Sequence, residues 1–226
     1  MNQFIWEFIK GLAPLYIALG VILLLSFIYY LIVNRDRLRH PEEYKDKGST
    51  GEQLIYLSLK KYGITNQQIL RNVYIPTPKG TTEIDLLVLS KKGILVFECK
   101  NYSGNIYGDG KRKKWVQYLG KKKFYFLNPI FQNRVHVNYL NSFLNIPDLP
   151  IIPFVATTTN GKWKVKNISP ADHFLTHRGT LLDIYHPLPD SKIMVQYYQE
   201  IYQKLKPLER PNKEIRQKHI NDLKHR

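Results

Sequence analysis

A chain of 226 residues with 43% hydrophobic content has room for one good-sized domain, its own core and some appendages. The formal charge of +16 calls for a polyanionic partner, and a single cysteine, Cys99, excludes an intrachain disulfide and suits a reducing compartment. The seven histidines show no zinc-site spacing, and neither a Gly-rich phosphate loop nor a nucleophile elbow occurs, so zinc-enzyme, P-loop ATPase and serine-hydrolase classes lose support.

Residues 1 to 11 form a short amino-terminal segment. From Leu12 to Val33 the chain is uncharged and mostly apolar, interrupted by Pro14, Gly20, Ser26 and tyrosines. At ~1.5 Å per residue such a run crosses a ~30 Å hydrocarbon core. A signal peptide would have a shorter apolar stretch, a more basic start and a small-residue cleavage site, whereas here Tyr29 to Val33 run straight into Asn34 and Arg35. The stretch therefore reads as a retained transmembrane helix. Lys10 before it is opposed by Glu7, and Arg35, Arg37 and Arg39 follow it, which places the amino terminus outside and the rest in the cytoplasm. Residues 34 to 47, broken by His40-Pro41, read as a juxtamembrane linker. Residues 48 to 226 hold 28 basic and 13 acidic side chains. That excess attracts nucleic acid or the anionic inner leaflet of a lipid bilayer.

A helix is expected from Ser49 or Thr50 to Tyr62-Gly63. Glu52, Ile55, Tyr56 and Leu59 share one stripe of it, which turns Glu52 inward; Ser49-x-x-Glu52 is equally a capping box, and both readings stand. Asn72 to Pro76 reads as a strand, and a Thr-Pro-Lys-Gly loop leads into a hairpin turned at Ser90-Lys91-Lys92-Gly93. Asp85 opens one apolar run of the hairpin and Glu98 closes the other, followed by Lys100. Strand alternation gives Glu98 and Lys100 one face, Cys99 the other, and Glu83 the face of Asp85. Cys99 is then a small buried hydrophobe or, on the other view, a reactive thiol. Carboxylates clustered by an ammonium at the rim of an apolar sheet suit a hard divalent cation and phosphate chemistry.

Residues 105 to 127 read as short strands with turns at Asp109-Gly110 and Leu119-Gly120. Two basic clusters, Lys111-Arg112-Lys113-Lys114 and Lys121-Lys122-Lys123, are interleaved with Tyr107, Trp115, Tyr118, Phe124 and Tyr125. The mixture suits phosphate contact plus base stacking, or a solvated hairpin whose aromatics pack on the core. Asn128-Pro129 caps a helix running to about Leu144, on which Gln132, Val135, Tyr139 and Phe143 share a face. Gln132 then either faces the site or is a buried amide bonded to backbone. Ile151 to Thr157 is a buried strand, 172 to 185 another strand and a short helix, and 190 to 206 an amphipathic helix. The basic tail from 207 to 226 reads as a loosely held helix. Alternating strands and helices around a central hairpin make the whole an α/β fold.

The spacing Asp85-x12-Glu98-x-Lys100 resembles the active-site signature of the PD-(D/E)xK nuclease superfamily. Around it stand Gly48-Ser49-Thr50-Gly51-Glu52, Glu83-Ile84-Asp85, Gly104-Asn105-Ile106, Trp115 and Asn128-Pro129-Ile130-x-Gln132-Asn133. That order resembles the nuclease-related domain family over roughly residues 48 to 160, with Ile84 where the superfamily has its proline. The resemblance implies a restriction-endonuclease-like mixed sheet flanked by helices, spanning residues 48 to 206, and Mg2+- or Mn2+-dependent hydrolysis of nucleic acid, with DNA ahead of RNA. It implies that Asp85, Glu98 and the Cys99 backbone carbonyl bind the metal, that Glu52 completes the shell, and that Lys100 assists attack. Glu83 and Gln132 are then candidates to support the site from behind, and the two basic clusters with Trp115 are candidates to contact the nucleic acid. The alternative is a catalytically silent, membrane-tethered module that binds nucleic acid or anionic lipid.

The flanking charges make a testable statement about topology. Protease added to intact cells is expected to spare residues 40 to 226 and to degrade them once the cells are permeabilised. Cleavage in intact cells would reverse the orientation.

Overall fold

Three successive runs rich in Ile, Leu, Val and Phe between Ile69 and Lys100 form the centre of the larger sheet. The computed structural model describes residues 2–35, 38, 47–158, 161–175 and 185–224. They fall into two units, Met1–Asp46 and Lys47–Arg226. In the first, helix α1 (Asn2–Val33) contains an apolar stretch, Pro14–Ile32, with a mean hydropathy of 2.5. That stretch is long and apolar enough to cross a membrane. The expected linker falls largely on 36, 37 and 39 to 46, outside the described residues.

The second unit is a mixed α/β fold with two mixed sheets flanked by helices. Helix α2 (Lys47–Lys61) leads to β1 (Ile69–Thr77), β2 (Gly80–Ser90) and β3 (Gly93–Lys100). These form an antiparallel meander whose β3 edge is joined in parallel by β7 (Ile151–Thr157) and then β9 (His173–Leu175). Between β3 and β7 the chain builds a second, four-stranded sheet from β4 (Gly104–Asp109), β5 (Lys114–Leu119) and β6 (Lys122–Leu127), followed by helix α3 (Pro129–Leu144). The second sheet is completed by β8 (Gly161–Lys166), parallel to β4, giving the order β6-β5-β4-β8. Helix α4 (Lys192–Leu205) and helix α5 (Lys213–Lys224) close the chain. The helix expected within 172 to 185 falls mainly on 176 to 184, outside the described residues.

Each face of the larger sheet is apolar for its own reason. On one side Ile55 and Leu59 of α2 cover Leu86, Val88, Leu95, Phe97 and Phe154. On the other, Leu140 and Leu144 of α3 and Met194, Ile201 and Leu205 of α4 cover Leu87, Leu89, Ile94 and Val96. Asn128 accepts the Ile130 N–H and Pro129 occupies the first turn, so α3 starts where its sequence dictates.

Three expectations are corrected here. Trp115 is not a surface stacking residue: it is 1% exposed, its Nε1 donates to the Asp109 carbonyl at 2.9 Å, and its ring lies against Gly108, where a Cβ would come within 2.5 Å of it. An indole buried with its N–H satisfied is core. The inward stripe of α3 is centred on Ile130, Asn133, Leu140 and Leu144, which are buried; of the expected face Tyr139 and Phe143 pack at its edge, whereas Val135 is exposed. The carboxyl-terminal helix is not loosely held, because His219 on α5 is 6% exposed, edge-on to the Tyr74 ring and bonded to Thr81.

Trp115→Ala is therefore expected to destabilise the fold by about 3–5 kcal/mol, while Tyr125→Ala at the exposed face of β6 changes it by no more than about 0.5 kcal/mol. Denaturant unfolding of the two variants measures the contrast.

Candidate active site

The site is built where the pleat of β1 and β2 breaks. Leu87 and Ile84 are three residues apart and should face opposite sides, yet both pack in the same core cluster, as do Leu70 and Val73. The break falls at Asp85 and at Asn72, which stands opposite it in register between the pairs Arg71↔Leu86 and Val73↔Ile84. Asn72 takes up the turn in the backbone with φ +47°, a conformation asparagine tolerates better than most side chains. The β2–β3 ladder stops one pair short of Asp85, at Leu86↔Phe97. Beyond it the Asp85 carboxylate takes the place of a strand carbonyl, accepting the Cys99 N–H at 2.7 Å.

Glu98 and Lys100 share a face of β3, as alternation requires, with Lys100 Nζ 2.5 Å from Glu98 Oε1. The other oxygen, Oε2, lies 3.1 Å from Nε2 of His136 on α3, whose Nδ1 lies 2.7 Å from the Thr82 hydroxyl. Across the pleat break, Asn72 Nδ2 donates to Glu52 Oε2 and to Glu83 Oε1, both at 3.2 Å. Glu52 thus points to β1, and α2 begins at Lys47, ahead of Ser49, so a capping box does not account for Glu52. Gly51 lets α2 approach this closely, since a Cβ there would lie 2.5 Å from Cβ of Asn101. Glu83 also lies 3.9 Å from His219, which links α5 to the cluster.

Burial gives these groups unequal charges to carry. It raises the Asp85 carboxyl well above the ordinary aspartate range, and repulsion from Glu98 and Glu52 adds to the rise. Burial acts upward on Glu98 too, but Lys100 and His136 outweigh it and hold that carboxyl at about 2. Burial also works against the Lys100 ammonium, yet Glu98 and then Asp85 raise its pKa above the ordinary lysine value. Lys100 is therefore a permanent cation. The Cys99 thiol, on the opposite face among Leu86, Phe97 and Phe154, is pushed up by burial and stays a packed hydrophobe.

The structure thus brings Asp85, Glu98, Lys100, Glu52 and Glu83 to one end of the larger sheet. Gln132 lines a surface groove of about 500 Å³ with Lys113, Leu127, Phe131 and His136, the last of which also meets Glu98. The polar residues of α3 that meet the sheet are His136, beside Glu98, and Asn133, whose Nδ2 donates to the carbonyls of Val96 and Phe154, both at 2.9 Å. Two polar side chains on an otherwise apolar helical stripe were the available signal for this pair. Lys111, Arg112, Lys113 and Lys114, and likewise Lys121, Lys122 and Lys123, are exposed around the second sheet.

The donors gathered here are carboxylate oxygens, the kind a hard divalent cation takes. Two observations fit such an ion: the surplus negative charge that raises Asp85, and the buried Asn72 Oδ1, which has no hydrogen-bond partner among the described residues. The described residues do not form a ready cluster of three or more ligating His, Cys, Asp or Glu side chains. Both oxygens of Glu98 are engaged by Lys100 and His136, so an ion would be met by rearrangement of that carboxylate.

The sequence profile of the nuclease-related domain family matches residues 47–158. An uncharacterised protein of Bacillus anthracis is 31% identical over 180 residues, a span that covers 79% of this chain and 84% of the relative. The chain belongs to the nuclease-related domain family. No solved structure matches it. Membership supports a nuclease-like role and an interaction with nucleic acid. The matched segment carries every carboxylate named above together with Lys100 and His136.

The charge balance predicts opposite effects for two isosteric changes. Asp85→Asn keeps an acceptor for the Cys99 N–H and removes repulsion, so it should raise the unfolding temperature in chelator, by about 2–4 °C per kcal/mol gained. Because the folded-state pKa of Asp85 is raised, wild-type stability should fall as pH rises from the ordinary aspartate range towards that higher value, and the variant should lose this slope. Glu98→Gln breaks a mostly buried ion pair and should destabilise the fold, at the lower end of about 3–5 kcal/mol.

Proposed function

We propose that the chain is a membrane-anchored, Mg2+- or Mn2+-dependent nuclease that hydrolyses phosphodiester bonds of nucleic acid, with DNA the better candidate substrate. The observation that carries this reading is the placement of Asp85, Glu98 and Lys100 at one buried strand end, beside Glu52. Asp85, Glu98 and the Cys99 backbone carbonyl would hold the ion, with Glu52 completing the set. When bound, the ion supplies a more acidic water and offsets charge on the phosphate.

The side chains have separable tasks. Lys100 donates to a non-bridging phosphate oxygen or orients the water, and its charge meets the negative charge carried by the phosphate oxygens as water attacks phosphorus and the bond to the leaving oxygen breaks. His136 holds Glu98 from the helix side, and Thr82 fixes the imidazole in turn. Asn72 holds Glu52 and Glu83 by donating to both. The apolar helix α1 would anchor the nuclease, with the positive-inside rule placing it in the cytoplasm.

A second reading, a silent nucleic-acid- or lipid-binding module, is favoured by one observation: Lys100 and His136 already satisfy both oxygens of Glu98. Cleavage assays with Mg2+, Mn2+ or chelator on single- and double-stranded DNA and RNA decide between the two. On the nuclease reading the ion raises the unfolding temperature of the wild type but not of Asp85→Asn. Lys100→Ala should then cut turnover by about 10²–10³-fold, with little change in affinity. Lys100→Arg should not restore turnover, since a planar fork does not replace a compact ammonium. Binding without cleavage by the wild type would establish the silent module.

A further inference from the structure

The second sheet has one covered and one open face. Ile106, Trp115, Phe126, Trp163 and Val165 point inward and form a core cluster. By register the alternate residues point outward. Tyr107 stands beside Val116, which stands beside Tyr125, and Tyr118 stands beside Lys123. Tyr125 is 63% and Tyr107 41% exposed. Lys162, Lys164 and Lys166 of β8 lie on the same outer face, next to Asn105, Tyr107 and Asp109. Lys114 joins them from β5, opposite Leu127. Five lysines and three tyrosines thus share this face with one carboxylate, Asp109, which accepts the Lys111 N–H and an Asn167 amide proton.

The arrangement is organised rather than scattered. Tyr107 and Tyr118 meet edge to face at 5.7 Å. The Lys123 ammonium lies 4.8 Å from the Tyr125 ring centre and 5.8 Å from that of Tyr118, and Lys164 lies 5.4 Å from that of Tyr107. The face also leads to the candidate active site. β4 begins at Gly104, just beyond Lys100, and β8 begins at Gly161, just beyond Thr157, the residue paired with Lys100 across β3 and β7.

We propose that this open sheet face binds single-stranded nucleic acid, its tyrosines stacking on unpaired bases and its lysines following the phosphates, and delivers the strand to Lys100. The inference rests on the nuclease reading for the presence of a polynucleotide, and adds its strandedness. Flat aromatic rings on an open sheet face reach only bases whose faces are free. A duplex, its bases already stacked, would meet the lysines alone. The ammonium groups over the rings mark where cations are held weakly at an exposed surface, and a base with its phosphate satisfies ring and ammonium separately.

The test uses the full chain in non-ionic detergent with chelator, so that binding is read without cleavage. Fluorescent oligothymidylate and a duplex of equal length serve as probes. Replacing Tyr107, Tyr118 and Tyr125 together by Ala should weaken oligothymidylate binding by on the order of 100-fold or more, and duplex binding little. Replacing them by Phe should preserve both. If the Ala variant does not fold, Lys162→Gln, Lys164→Gln and Lys166→Gln together should lower the salt slope for the single strand by about two. Unchanged single-strand affinity and slope, or equal losses for single strand and duplex, would overturn the platform. So would occlusion of the oligonucleotide site when the protein sits in phosphatidylserine-containing nanodiscs but not in phosphatidylcholine ones, which would assign the face to the bilayer. Failure of the nuclease reading looks different: tight tyrosine-dependent binding persists, and Mg2+ elicits no cleavage.

Discussion

A carboxylate in the middle of a β-sheet must be answered by a charge or a proton, and Glu98 is answered from two directions. Lys100 reaches it along the same strand, and His136 reaches it from α3. The first contact needs only strand alternation. The second requires the helix to be placed to within a fraction of a turn, which Asn133 does by bonding the carbonyls of Val96 and Phe154 on the two parallel strands beneath it. With Glu98 answered, Asp85 is left carrying charge that burial, Glu98 and Glu52 all oppose. The domain therefore concentrates its electrostatic cost on one carboxylate, beside the carboxylates of Glu98 and Glu52. Active sites often show this pattern, in which neighbouring groups of the same type are driven to different protonation behaviour.

Much of this was legible in the sequence, and the limits have physical causes. The hairpin, the helix from Asn128 and the strand at Ile151 to Thr157 are announced by apolar runs, turns and a cap, all local signals. The face shared by Glu98 and Lys100 follows from parity alone. Parity fails at Asp85, because the left-handed residue that breaks it, Asn72, lies on another strand. Spacing alone does not choose the stripe of α3, since Gln132, Val135 and Tyr139 recur at helical intervals as regularly as Asn133, His136 and Leu140. Which stripe is buried depends on what the sheet offers, here two carbonyls and a carboxylate. Trp115 illustrates the same point: an aromatic among lysines is a surface residue by composition, and a core residue once register pairs it with Phe126.

The segment that matches the family profile ends at residue 158, but the rim of the site does not. The Glu209 side chain accepts the Arg71 N–H at 3.0 Å, and the Arg210 N–H donates to the Asn72 carbonyl at 3.0 Å, so the chain beyond α4 is stitched to β1 on both sides of the pleat break. His219 then closes over Thr81 and Glu83. These contacts pin the backbone of Asn72, and Asn72 is the residue that holds Glu52 and Glu83 in place. A left-handed asparagine costs conformational energy and persists only where its surroundings over-determine it. The carboxyl-terminal segment supplies part of that determination. It belongs to the same packed unit as the candidate site even though nothing in its own composition, a basic run after a proline, announces a place near carboxylates.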